Sequence, residues 1–189
     1  MKCRLIPEPF PWTVGPVRTP GLHLSEIIQG IVTDLTGQKR GDTDDPRLQF
    51  EKGFLWENLL SLAFAEQAAV RPGEVELDGI ICSPDGVDFE PGGEMVLEEY
   101  KCTMMSCSKN PPADVLKWMI QVKGYCYVLG TTRAKMRILY LAGSWNPPVP
   151  EYRVYEFEFT PDELRENWVM VKNYADKIRK RERGNVGGE

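Results

Sequence analysis

A series of polar residues stands where a fold would otherwise place apolar ones: Glu57, Asp78, the run Glu99-Tyr100-Lys101, Gln121 and Tyr125. Glu99 and Lys101 are two apart, so on a strand both side chains share one face. If the segment around Asp78 is a neighbouring strand, its carboxylate can join them at the end of the sheet. Two carboxylates and a backbone carbonyl make a hard oxygen set suited to Mg²⁺ or Mn²⁺. Such a cation neutralises a phosphodiester and activates water for in-line attack, and Lys101 adds a donor beside the reacting phosphate. In isolation an acid-x-Lys pair also fits an edge strand with a surface Glu–Lys ladder.

Glu57 lies in a segment rich in Phe, Leu and Trp, with Gly53, Phe54, Leu60 and Ser61 three and four positions away. On a helix that puts it at or near the buried face, where a carboxylate needs a partner or a metal; the other reading tilts it out to solvent. Gln121 interrupts the apolar stripe of Trp118, Val122, Tyr125 and Leu129. One helical turn separates it from Tyr125, so the two can reach one ligand, unless Gln121 is a core-edge amide satisfied by a backbone carbonyl.

The chain of 189 residues has 42% hydrophobic residues, enough for one substantial core, and no stretch of about 18 apolar residues that would cross a membrane. The N-terminus lacks the apolar run of a secretory signal, so a soluble, cytoplasmic protein is expected. Five cysteines without a CxxC pair argue for reduced thiols, against a disulfide framework or a zinc site. The net charge of −5 is unevenly spread. Nine acidic residues and no Lys or Arg lie between Glu74 and Glu99; the rest of the chain has 23 basic against 19 acidic residues. An anionic patch on a mildly basic chain suits a cation site beside a phosphate track, and equally a solvated acidic hairpin.

The elements that must position these residues can be read in order. Residues 1–20, with five prolines, form a surface arm. A first helix follows, capped by Ser25, with Leu24, Ile27, Ile28, Ile31 and Leu35 at helical spacing. After a polar loop over Gly37 to Asp45, Asp45 and Pro46 open a second helix to about Gln67. The period turns to two from Glu74, predicting a strand through Ile81 that carries Asp78. Ser83-Pro84-Asp85-Gly86 and Pro91-Gly92-Gly93 read as turns, and Met95 to Cys102 as a strand in a hairpin or meander. Pro111 and Pro112 open a third helix that stops before Gly130. Strands follow at Met136 to Ala142 and Arg153 to Phe159, joined across Asn146-Pro147-Pro148. Thr160-Pro161-Asp162-Glu163 is a capping box that opens a last helix over 160–183, followed by a flexible tail, 184–189. The basic end of that helix, Lys172 to Arg183, fits a solvated helix terminus or a DNA-backbone contact.

Taken in order, these motifs resemble the PD-(D/E)XK nuclease superfamily, in particular its RecB-like and phage lambda exonuclease-like branch. Gly53-Phe54-Leu55-Trp56-Glu57 is similar to the branch's Gly-x-x-x-Glu, Glu76-Leu77-Asp78-Gly79 to its strand Asp-Gly, Glu99-Tyr100-Lys101 to its acid-x-Lys, and Gln121 to Tyr125 to its Gln-x-x-x-Tyr. Leu22-His23-Leu24-Ser25 resembles the short His-x-Ser stretch that precedes these motifs, and the likeness spans about residues 20 to 142. It implies a single α/β domain with a restriction-endonuclease-like core, a central mixed β-sheet flanked by helices. Mg²⁺ or Mn²⁺ would be bound by Asp78, Glu99 and the Tyr100 carbonyl, with Glu57 a further ligand or water-mediated contact and Lys101 and Gln121 in the catalytic set. Members with a His beside the helix acid differ from this chain, which has Trp56 there. No iron–sulfur cluster is expected, because the last cysteine is Cys126 and the usual C-terminal trio is missing.

The implied function is a DNA exonuclease, or an end-processing nuclease, of a phage, mobile element or bacterial recombination and repair system, leaving 5′-phosphate and 3′-hydroxyl ends. Ser25, Lys123, Gln121 and Tyr125 are the expected substrate contacts, with Lys117, Arg133, Lys135 and Arg137 as further DNA-contacting cations. A homo-oligomer or a recombination partner would supply processivity. The alternative is a nuclease-like fold that binds nucleic acid or assembles without cleaving.

Overall fold

The computed structural model describes residues 18–37, 47–63, 70–109, 111–144 and 149–186. A short strand β1 (Leu22–His23) runs directly into helix α1 (Leu24–Thr36). Leu24, Ile27, Ile28 and Ile31 form its buried stripe, whereas Leu35 is 67% exposed because the helix has by then passed the core. The expected N-cap is displaced. His23 holds that position without a side-chain capping bond, and Ser25 is the second helical residue. Strand pairing keeps the chain extended through His23, so the sheet, and not a serine cap, decides where α1 begins. Helix α2 (Arg47–Ala63) follows; its expected cap at Asp45 and end near Gln67 lie outside the described residues, as does the N-terminal arm up to residue 17.

The single strand expected over 74–81 is two strands, β2 (Val75–Leu77) and β3 (Ile80–Cys82). Asp78 and Gly79, both left-handed at φ 55° and 70°, form the two-residue turn between them, with Leu77 opposite Ile80. Two consecutive positive φ values match the twist of a hairpin, and Asp-Gly is a favoured pair for that turn. The hairpin joins β1 in a sheet ordered β1-β3-β2. A larger sheet holds β4 (Gly86–Phe89), β5 (Met95–Thr103), β6 (Arg133–Tyr140) and β7 (Glu151–Glu158) in that order. It is mixed: β5 and β6 are parallel and the outer pairs antiparallel. The antiparallel neighbour of β5 is therefore β4, a strand hidden between two turn-rich stretches, and the hairpin bearing Asp78 does not pair with β5.

The parallel β5–β6 pair requires a crossover. It contains a 3₁₀ turn at Pro112–Asp114 and helix α3 (Leu116–Leu129), which Gly130 closes at φ 72°. The prolines thus open the 3₁₀ turn only, and extended Val115 separates it from the helix. Gly124 lets α3 approach α1, since a Cβ there would come 3.0 Å from Leu24. The last helix, α4 (Pro161–Val186), carries the expected capping box: Glu163 accepts from the Thr160 backbone N–H at 2.9 Å and Thr160 Oγ1 accepts from the Glu163 N–H at 3.2 Å. It runs past Arg183, so Gly184 to Val186 are helical rather than tail.

Helices α1, α3 and α4 pack their apolar faces with the larger sheet around Ile27, Leu97, Val122, Met136, Ile138 and Trp168. Each such aliphatic side chain contributes roughly 1.5–3 kcal/mol on full burial. Trp56 of α2 packs with Tyr100, Cys102 and Leu139 in a second cluster. The mixed sheet is flanked by helices, as expected. Cys82, Cys102, Cys107 and Cys126 form no disulfide, and among the described residues no helix is long and apolar enough to cross a membrane.

Candidate active site

Alternation along β5 sends Glu98 and Glu99 to opposite faces of the sheet, and both are essentially fully buried. Each is answered by cations. Arg137 of β6 grips Glu98 with two bonds, 2.6 Å from Nε and 3.2 Å from Nη2. On the other face Lys101 Nζ bonds Glu99 Oε1 and also donates to Gln121 Oε1 at 2.9 Å. The Gln121 amide then donates from Nε2 to Tyr125 OH at 3.1 Å. Gln121 and Tyr125 therefore face the same place from one side of α3, as their spacing predicts. The phenol is 4% exposed, and burial together with the nearby Glu99 holds its pKa well above the ordinary value.

The second carboxylate at this place is Asp85, which the sequence reading leaves in a turn. The β4–β5 ladder ends at Gly86 opposite Glu98, and the chain leaves the sheet one residue earlier. Asp85 Oδ2 takes over the next ladder position by accepting from the Tyr100 backbone N–H at 2.7 Å. Within a strand the N–H and C=O of one residue point to the same side. The Tyr100 carbonyl is thus directed toward the Asp85 side of β5. Burial raises the Asp85 pKa, opposed by Lys101, the Tyr100 N–H and Arg71.

Asp78, by contrast, sits on the β2–β3 turn and faces α4. Its Oδ2 accepts from Trp168 Nε1 at 2.9 Å and pairs with Lys172 at 3.1 Å. These two contacts, the Trp168 bond foremost, lower its pKa. The expectation that Asp78 lies on a strand beside Glu99 is corrected: a period-two pattern continues unbroken through a tight hairpin, and the Asp-Gly pair marks the turn. A Pro-Asp pair immediately before a short strand is the signal that would have pointed to Asp85.

A cavity of about 550 Å³ collects these groups, with Asp85, Glu99, Tyr100, Lys101, Gln121 and Tyr125 on its wall. From the N-terminal side come Ser25 and His23, the latter fixed by a 2.9 Å contact of Nε2 with the Thr19 carbonyl, together with Arg18 and Arg71. Ser25 thus reaches the cavity from the first turn of α1. Lys123 does not line it; Lys123 Nζ lies 3.5 Å from Glu163 and over the Phe159 ring. Arg133 pairs with Glu90 and Glu94, and Lys135 and Arg137 with Glu98, so these three expected DNA contacts are engaged within the protein. Lys117 is exposed near the start of α3. Glu57 falls on α2, and its side chain lies outside the described residues.

Among the described residues no three His, Cys, Asp or Glu side chains gather as a ready-made metal cage. The donors present are instead Asp85, Glu99 and the Tyr100 carbonyl, all hard oxygens. This set fits Mg²⁺ or Mn²⁺, which bind through one or two carboxylates and take their remaining ligands from water and substrate phosphate.

No protein-family model and no curated protein matches the sequence. Among solved structures, the chain is similar to the alkaline exonuclease LHK-Exo from Laribacter hongkongensis, at 14% identity over 88% of this chain and 94% of that one, with a TM-score of 0.52. The same values hold for LHK-Exo in complex with dAMP. A phage-related exonuclease from Haemophilus somnus matches at 14% identity over 84% of this chain and 82% of that one, with a TM-score of 0.51. The likeness establishes the fold: this chain shares the mixed α/β fold of these solved exonucleases.

Proposed function

We propose that this chain is a divalent-metal-dependent DNA nuclease, acting as an exonuclease in phage or bacterial recombination or repair, with Asp85, Glu99, Lys101 and Gln121 as its working residues. The observation that carries the reading is the convergence of Asp85 and the Glu99-x-Lys101 pair on one cavity wall, with the lysine bonded to both Glu99 and Gln121. A wall with two acidic groups and one oriented ammonium suits a phosphodiester held through a cation. Two solved exonucleases share the fold, one of them also in complex with dAMP, which makes a nucleotide a natural occupant of the cavity.

In this reading Asp85, Glu99 and the carbonyl of Tyr100 would hold the cation, which when bound would supply charge neutralisation and Lewis acidity at the scissile phosphate. Lys101 places a positive donor beside the attacking water and the equatorial phosphate oxygens, where negative charge grows. Gln121 keeps the ammonium in that place, and Tyr125 fixes the amide so that its oxygen faces Lys101. The water oxygen bonds to phosphorus as the P–O3′ bond breaks, and a proton ends on the departing 3′ oxygen, leaving 5′-phosphate and 3′-hydroxyl ends. Ser25 is placed to contact the substrate from α1. Glu57 is retained as a further acidic contact on α2, and assembly into an oligomer or with a recombination partner is the proposed source of processivity.

The test is incubation with end-labelled linear and with circular DNA, single- and double-stranded, in Mg²⁺, Mn²⁺ or EDTA, alongside Lys101→Ala. Loss of linear DNA that needs the metal and disappears in Lys101→Ala is the expected result. Binding of DNA with no cleavage under any of these conditions would replace the reading by a non-cleaving module.

A further inference from the structure

The β2–β3 hairpin forms one wall of the cavity at its base, through Gly73, Glu74, Ser83 and Asp85, and is held by α4 at its tip. The tip carries the only left-handed non-glycine residue among the described residues, Asp78 at φ 55°. A non-glycine residue is disfavoured in that region, and Asp is one of the few that visit it. Three side chains of α4 converge there. Trp168 and Lys172 bond the Asp78 carboxylate, while Arg179 donates to the carbonyls of Asp78 at 3.2 Å and Gly79 at 2.7 Å. Gly79 admits this approach, since a Cβ there would lie 2.9 Å from the guanidinium.

The small sheet containing the hairpin shares no strand with the larger sheet that carries Glu99 and Lys101. Asp85 stands at the junction of the two sheets, three residues past β3 and directly before β4, with its carboxylate accepting from the Tyr100 N–H of β5. Helix α4 spans the two sheets: it packs on α3, which bears Gln121, and it holds the hairpin tip. From Gly79 to Ser83 the extended chain covers about 13 Å, so a shift at the tip is carried along β3 toward Asp85. Strand β3 is paired on both sides and its three residues are buried, which makes it a stiff connection.

We propose that Asp78 is a positioning residue: by anchoring the hairpin tip to Trp168 and Lys172 it sets the place of Asp85 relative to Glu99 and thereby the cation affinity of the site. This rests on the nuclease reading above. Supports of metal ligands typically change metal affinity or activity by about 10–100-fold when removed.

The experiment measures Mn²⁺ binding by the loss of the free-ion electron paramagnetic resonance signal, beside kcat and KM for DNA cleavage, well below each protein's Tm. It uses wild type, Asp78→Ala, Asp78→Asn and Trp168→Phe. Asp78→Ala should weaken Mn²⁺ binding by about tenfold or more and lower kcat with little change in KM. Asp78→Asn, which tolerates the left-handed backbone and still accepts from Trp168, should recover most of both. Wild-type affinity and kcat in Asp78→Ala would overturn the inference and leave the nuclease reading intact. If Asp78→Ala does not fold, unchanged Mn²⁺ affinity in Trp168→Phe overturns it instead. A wild type that neither binds Mn²⁺ nor cleaves would sink both.

Discussion

Replacing Asp85 by Asn separates the charge of that carboxylate from its shape. Asn keeps an oxygen to accept from the Tyr100 N–H, so the end of the β4–β5 ladder is preserved and what disappears is the negative charge beside Glu99. The change has opposite consequences for stability and for activity. Burial raises the Asp85 pKa above its unfolded value of about 3.9. A carboxyl shifted in that direction contributes stability that is fully present below the unfolded pKa and lost as pH rises through the folded one. At about pH 8 without divalent ions, ionised Asp85 is then a net cost, and Asp85→Asn should melt at or above wild type, each ~1 kcal/mol corresponding to about 2–4 °C for a chain of this size. The advantage should shrink as pH falls toward about 4. Mn²⁺ at a hundred times its Kd would add about 2.7 kcal/mol to wild type, or roughly 5–11 °C, and little to the variant. Cleavage should fall by at least about 100-fold, ~2.7 kcal/mol of transition-state stabilisation. Calorimetry with and without Mn²⁺ and an end-labelled duplex assay read both sides. Asp85→Asn with the wild-type Mn²⁺ shift, or with cleavage within about threefold of wild type, would refute the assignment.

Thr160→Ala removes one half of the capping box and should lower stability by about 1 kcal/mol, a fall of about 2–4 °C in Tm by calorimetry. Arg133→Ala, which removes a cation already paired with Glu90 and Glu94, should change DNA affinity by less than about twofold in a filter-binding titration at fixed salt. Burial pushes the Cys82 and Cys126 thiols up to about 12. Both should therefore stay protonated and resist iodoacetamide in the native protein at about pH 8, becoming alkylated only on unfolding, as peptide mass spectrometry would show.

The helical parts of this fold were legible because their signals are local. The stripe of α1, the glycine that ends α3 and the capping box of α4 each act within a turn or two of chain. The acid-x-Lys pair and the Gln121–Tyr125 pair were legible for the same reason, since strand and helix periods alone bring their members together. Asp85 was not. Its place depends on β4 returning alongside β5, a long-range pairing, and its own neighbours Ser83, Pro84 and Gly86 all read as turn residues. Asp78 was misplaced for a complementary reason: apolar alternation on both arms of a two-residue hairpin mimics one longer strand. The cations chosen from charge and position, Lys123, Arg133, Lys135 and Arg137, are claimed by Glu163, Glu90, Glu94 and Glu98, partners that only the assembled sheet and helices bring near.

Glu98 and Glu99 give β5 an unusual safeguard. In most strands a slip by one position is punished because apolar side chains turn to water. Here adjacent buried carboxylates mean that either frame would still present an acid to each face, so hydrophobic alternation alone discriminates poorly between them. Charge makes the distinction. A slip by one position would carry Lys101, which shares a face with Glu99, to the face of Arg137, putting two cations together there and leaving the acid on the other face without its lysine and Gln121 without its donor. The ion pairs on the two faces of the sheet thus fix together which carboxylate is delivered to the cavity, the one two residues before Lys101.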